Sequence, residues 1–94
     1  MKLGEGMRVK EILGERVIAL DGELIGEVED LELDDDWRVT GLILGLERGV
    51  AKKLGSKFGF RAKGKIPVEI VRGTKNYVTL SLGGDDLYSK IEKL

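Results

Sequence analysis

Residues 16–33 constrain the fold more than any other stretch. Arg16–Leu20 (RVIAL) is apolar and β-branched. Asp21-Gly22 follows, a strong signal for a two-residue hairpin turn. Glu23–Leu33 then returns with apolar residues at Leu24, Ile25, Val28, Leu31 and Leu33. A hairpin commits the chain to an antiparallel sheet. The alternation is imperfect, because Val28 and Leu31 have opposite parity. A β-bulge near Glu29-Asp30 would restore the inward face for Leu31 and Leu33, and Asp30 would cap it by bonding nearby amides. Between Asp21 and Asp36 lie nine acids and no base in sixteen positions. Acids that alternate with an inward apolar set form the wet face of a sheet, so Glu27, Glu29 and Glu32 are expected in water.

The remaining segments extend the same pattern. Met7–Leu13 suits a short strand or one helical turn, and Asp34-Asp35-Asp36 a turn. Trp37–Leu46 (WRVTGLILGL) is apolar on both faces: Val39, Gly41, Ile43 and Gly45 alternate with Leu42, Leu44 and Leu46. Such a strand is buried on both sides, inside the domain or against a partner. Glu47–Lys65 carries seven bases and, after Glu47, no acid. Val50–Leu54 suits a helical turn and the rest an exposed loop. Ile66–Arg72 and Tyr77–Leu82 read as strands. Asp85–Leu94 reads as a helix with Leu87, Ile91 and Leu94 on one stripe. Turns at such short intervals point to an all-β fold, a small barrel over 7–82 with a C-terminal helical segment over 83–94.

Composition removes whole classes of chemistry. The chain has neither cysteine nor histidine, so disulfides, thiolates, histidine bases and the usual zinc ligands are excluded. Ser56, Ser81 and Ser89 therefore have no imidazole to activate them. Gly59–Ile66 (GFRAKGKI) approaches a phosphate-binding loop, but Ile66 stands where the motif needs Ser or Thr, and Pro67 follows where a helix must begin. Asp34–Asp36 lacks the glycine turn and spaced glutamate of a calcium loop. No residue set calls for a cofactor or metal, and enzyme is the weakest class. The net charge of −1 does not indicate nucleic acid. Met1–Met7 holds no apolar run, so no signal peptide is expected and a cytoplasmic location is the default. Abundant Glu and Lys, no glutamine and a single asparagine resemble a thermophile composition.

Gly14, Val17, Asp21, Gly22, Ile25, Gly26, Val28, Asp30 and Leu31 follow the order G-x-x-V, Asp-Gly, then I-G-x-V-x-D-hydrophobic. This resembles the start of a PRC-barrel domain. Ile66, Pro67, Val71, Val78 and Leu80 are similar to that family's closing I-P-x-x-x-V and V-x-L strands. The likeness runs from about residue 7 to 82, with a basic insert at 50–65 that is less typical, and the short form resembles archaeal stand-alone members. The resemblance implies a six-stranded barrel that makes protein–protein contacts and carries no catalytic motif. It occurs in the photosynthetic reaction-centre H subunit and in a ribosome-maturation factor that docks a small-subunit ribosomal protein. For archaeal stand-alone members it implies a cell-division link, dimerisation and contact with the membrane anchor of the tubulin-like division ring.

The expected function is thus a dimeric, non-enzymatic adaptor. Trp37, Leu42, Leu44, Leu46 and Tyr77 are the candidate partner or dimer residues, with Trp37 and Tyr77 as aromatic anchors. A second reading is an RNA- or ribosome-associated factor using Lys52, Lys53, Lys57, Phe58, Phe60, Arg61 and Lys63, where aromatics stand between bases. An acidic 21–36 and a basic 48–65 either steer association or pair with each other within the domain.

Overall fold

The computed structural model describes residues 6–55 and 62–94. The elements in chain order are α1 (Val9–Ile12), β1 (Arg16–Ile18), β2 (Leu24–Leu33), β3 (Val39–Leu46), α2 (Arg48–Lys53) and β4 (Lys63–Pro67). A 3₁₀ turn (Val68–Ile70), β5 (Val71–Gly73), β6 (Val78–Leu80), α3 (Gly84–Tyr88) and β7 (Glu92–Lys93) complete the chain. All strands join one sheet in the order β5-β6-β1-β2-β3-β4-β7. Every pairing is antiparallel except β1 with β6.

That order requires curvature. β4 and β5 follow each other in the chain, yet four strands separate them in the sheet. In a flat sheet they would lie about 24 Å apart, at about 4.8 Å per strand. Three residues of 3₁₀ helix, rising about 2 Å each, cannot span that gap. The sheet therefore curls into a partial barrel, and the 3₁₀ turn joins its two sides. The result is an all-β barrel fold with a few short helices; it has seven strands where six were expected.

The bulge sets the core. Between Val28 and Asp30 the β2–β3 register shifts, so that Val28 faces Leu44 and Leu31 faces Leu42 on one inner side. The Asp30 carboxylate accepts the Leu31 amide at 2.8 Å, which caps the bulge as expected. Val17, Val28, Leu42, Leu44, Ile66, Val78 and Leu80 are buried on the inside, and α2 and α3 add Val50, Ala51 and Leu87. Gly26 lies so close to β3 that an added Cβ would run into the Gly45 carbonyl.

Several expectations need correction. Leu33 keeps the side of Leu31, because a second register shift, between Glu32 and Leu33, places its extra residue on β3 at Thr40, but it lies past the reach of β1 and β4 and is exposed rather than buried. The turn at Asp21-Gly22 is a three-residue loop: the Ala19 amide donates to the Glu23 carbonyl at 2.8 Å, enclosing Leu20, Asp21 and Gly22. Ile66–Arg72 is not one strand, because the chain turns after Pro67 to cross the barrel. The C-terminal helix ends at Tyr88, and Glu92–Lys93 pairs with β4 as a strand.

Strand β3 is not apolar on two buried faces. Leu42, Leu44 and Leu46 fill the core, whereas the outer side is roofed by charged side chains. Glu29 of β2 lies directly over Gly45, and the Lys65 stem lies 3.4 Å from where a Cβ on Gly41 would be. Above them run ion pairs across β3: Lys63–Glu29 at 3.3 Å and Lys65–Glu32 at 3.1 Å, with Lys65 also 3.4 Å from Glu92. The two glycines make room for aliphatic stems beneath their charged heads.

Candidate interaction surface

The β2–β3 hairpin outruns its neighbours. Strand β1 pairs with β2 as far as Glu27, and β4 pairs with β3 from Gly45 back to Gly41. From Leu33 to Thr40 the hairpin pairs only with itself among the described residues. Helix α1 flanks its base. Met7, Val9 and Ile12 face Leu31 and Val39 across a crevice of about 110 Å³. Leu33 pairs with Val39 in register, so its side chain continues the same apolar side toward the tip.

Trp37 stands at that tip and is 84% exposed. The loop beneath it is firmly built. The Asp34 amide donates to the Arg38 carbonyl at 2.9 Å, and the Trp37 amide donates to the Asp34 carbonyl at 3.1 Å. The Asp34 carboxylate accepts the amides of Asp36 and Arg38 at 2.8 and 3.0 Å. This is a three-residue hairpin loop whose last residue takes the left-handed conformation. Trp37 has φ of 64° there.

The other predicted partner residues separate from it. Leu42 and Leu44 are fully buried, and Leu46 lies with them in the core. Their side chains are consumed by the domain itself and are not available to a partner. Tyr77 is half-exposed before β6, one residue from Val78, which is level with Val17 and Gly26. Leu33 lies about 20 Å farther along the strand direction at 3.3 Å per residue. Trp37 and Tyr77 therefore do not share a surface. Leu33 is exposed on the same hairpin as Trp37, and Val9 is exposed on α1 at the base of that hairpin. The parity of Leu33 with Leu31 is correct, but no sequence signal marks that the hairpin runs on past β1 and β4, which leaves Leu33 uncovered.

The basic set is partly engaged. Lys53 bonds Glu23 at 3.2 Å and Lys63 pairs with Glu29, while Lys52 is exposed on α2. Lys57, Phe58, Phe60 and Arg61 lie outside the described residues. Where the phosphate-loop reading needed a helix, strand β4 follows instead. The acidic and basic segments thus pair within the domain at Lys53, Lys63 and Lys65.

One polar cluster the sequence did not suggest joins three elements. Lys53 of α2 donates to Glu23 and, at 3.0 Å, to the Tyr88 hydroxyl, which itself donates to Glu23. They line an open cleft of about 790 Å³ with Asp21 and Asp85. Burial pushes the Tyr88 phenol above its ordinary value, and its bond to Glu23 adds to this. The bonds to Tyr88 and Glu23 hold the Lys53 ammonium above its usual range. Neither group is a base at neutral pH, so the cluster acts as a clamp between α2, α3 and the loop before β2. Among the described residues, no three carboxylates come together as metal ligands, and no helix is long and apolar enough to cross a membrane.

Residues 4–88, which hold the bulged β2, the parallel β1–β6 pair and the 3₁₀ crossing, match the PRC-barrel domain family by sequence. The chain belongs to the PRC-barrel domain family. No curated protein matches it by sequence. PRC-barrel domains are generally non-catalytic interaction modules. Of the residues that carry the resemblance, Gly26 packs against the Gly45 carbonyl of β3 and Asp30 caps the bulge.

Proposed function

We propose that this PRC-barrel protein is a non-enzymatic adaptor, a cytoplasmic archaeal homodimer that binds the membrane anchor of the tubulin-like division ring. The observation that carries the adaptor reading is the hairpin end: Trp37 and Leu33 are exposed on a projecting, hydrogen-bonded hairpin, with Val9 of α1 exposed at its base. Exposed apolar groups gathered on one projection mark a contact site rather than a solvated surface. The outer face of β2–β3–β4, by contrast, is closed by its own ion pairs. The division link and the dimer rest on the likeness to stand-alone archaeal members. The engagement of Lys53 and Lys63 by acids of the same chain weighs against the RNA reading.

The test is a pull-down with the tagged full chain from its source organism, washed at two salt concentrations with and without nuclease. The division-ring anchor recovered stoichiometrically after nuclease supports the proposal. RNA recovered at low salt and lost at high salt overturns it in favour of the basic segment. Light scattering of the purified chain tests the dimer separately.

A further inference from the structure

The chain builds one loop twice, with different residues at its critical position. At Ala19–Glu23 and at Asp34–Arg38 the first amide donates to the fifth carbonyl, and the fourth amide donates to the first carbonyl. The fourth residue is left-handed in both: Gly22 with φ of 90° and Trp37 with φ of 64°. Elsewhere among the described residues the left-handed positions hold Gly6, Gly14, Gly55, Gly84 and Asn76. Those are residue types that tolerate this backbone, whereas a bulky side chain there is strained. Trp37 is also 84% exposed, so core packing does not compensate.

We infer that Trp37 is held in that position as a docking anchor, and that its occupant is an apolar pocket on another protein rimmed by Lys and Arg. This rests on the adaptor reading and adds the chemistry of the partner. The projecting tip is convex, so its complement is concave. The tip loop Asp34–Arg38 carries three acids and a single base, Arg38, beside Trp37. A basic rim complements that charge and suppresses wrong partners. The cost to local stability is what a binding residue, rather than a structural one, leaves behind.

Two measurements test this. The first is thermal unfolding of Trp37→Gly. The inferred strain predicts a Tm higher by about 4–8 °C, as relief of left-handed strain does in a domain of this size. A lower Tm would mean that the indole supports the fold, and overturns the inference. The second places p-benzoylphenylalanine at position 37 of the full chain for photo-crosslinking in source lysate at low salt. The expected result is an adduct to a different protein whose mapped peptide is apolar beside Lys or Arg, and whose yield falls with salt. An adduct of two copies of this chain, an adduct on nucleic acid, an acidic or wholly polar target peptide, or no adduct overturns it. A basic-rimmed target other than the division-ring anchor keeps the inference and removes the division link.

Discussion

The closest test of the packing is one substitution made at two glycines. At Gly26 a Cβ would strike the Gly45 carbonyl oxygen, and it would sit 3.0 Å from the Gly45 carbonyl carbon and 3.1 Å from Leu46 Cα. All three atoms are backbone, and β3 is fixed between β2 and β4, so nothing flexible can yield. Overpacking a fitted interior costs about 1–3 kcal/mol. Separating β2 from β3 here also weakens one or two ladder hydrogen bonds, each worth about 1 kcal/mol net. Gly26→Ala should therefore lose about 2–5 kcal/mol out of the 5–14 expected for a domain of this size. At Gly49, exposed in the first turn of α2, the added methyl meets nothing within 4 Å. Gly49→Ala should gain about 0.5–1 kcal/mol from helix propensity and a less flexible unfolded chain. Urea unfolding followed by circular dichroism reads both. With a slope of about 1.5 kcal/mol/M, Gly26→Ala should lower the midpoint by about 1–3 M, while Gly49→Ala should raise it by about 0.5 M. A Gly26→Ala midpoint within about 0.5 M of the parent would refute the close approach of β2 and β3.

Three further outcomes follow from the same geometry. Leu44→Ala should cost about 2–5 kcal/mol, because Leu44 is fully buried; a neutral result in the same urea assay would place it on a partner surface instead. Trp37→Ala keeps a Cβ at the left-handed position and loses no packing, so it should stay within about 0.5 kcal/mol of the parent while losing partner binding. The Tyr88 phenol and the Lys53 ammonium are both raised in the folded state, from ordinary values of 10.0 and 10.5. Their contribution is fully present below the unfolded values and is lost as pH rises through the folded ones. Tm should hold to about pH 9 and fall above about pH 10, with a shallower fall in Tyr88→Phe; equal slopes would show that the clamp is not coupled to folding.

Much of the barrel was legible because local chemistry writes it. Opposite parity at Val28 and Leu31 required a bulge, and Asp21-Gly22 required a turn. The loop proved one residue longer, since turn length depends on which amide reaches which carbonyl. Leu33, Ile66–Arg72 and the C-terminal segment were misread for a shared reason. How far β1 and β4 run beside the hairpin, a chain crossing after Pro67 and a strand at Glu92–Lys93 are all decided by neighbours distant in sequence. The two-faced look of β3 misled in the same way. Gly41 and Gly45 read as an apolar face, but they are the floor beneath Glu29 and Lys65, which lie on other strands. Trp37 stands out in the sequence as a candidate anchor by its type alone. Its separation from Tyr77 and its strained backbone depend on the register of β1, β2 and β6.

Trp37 is the chain's single tryptophan, so its emission reports directly on the hairpin tip. The decisive measurement is a fluorescence titration of the full chain with the partner recovered after nuclease treatment. Burial of the indole predicts a blue shift that saturates at stoichiometric partner, with protection from a soluble quencher. A partner that binds with the emission and quenching unchanged would contradict the account, because recognition would then lie elsewhere on the barrel.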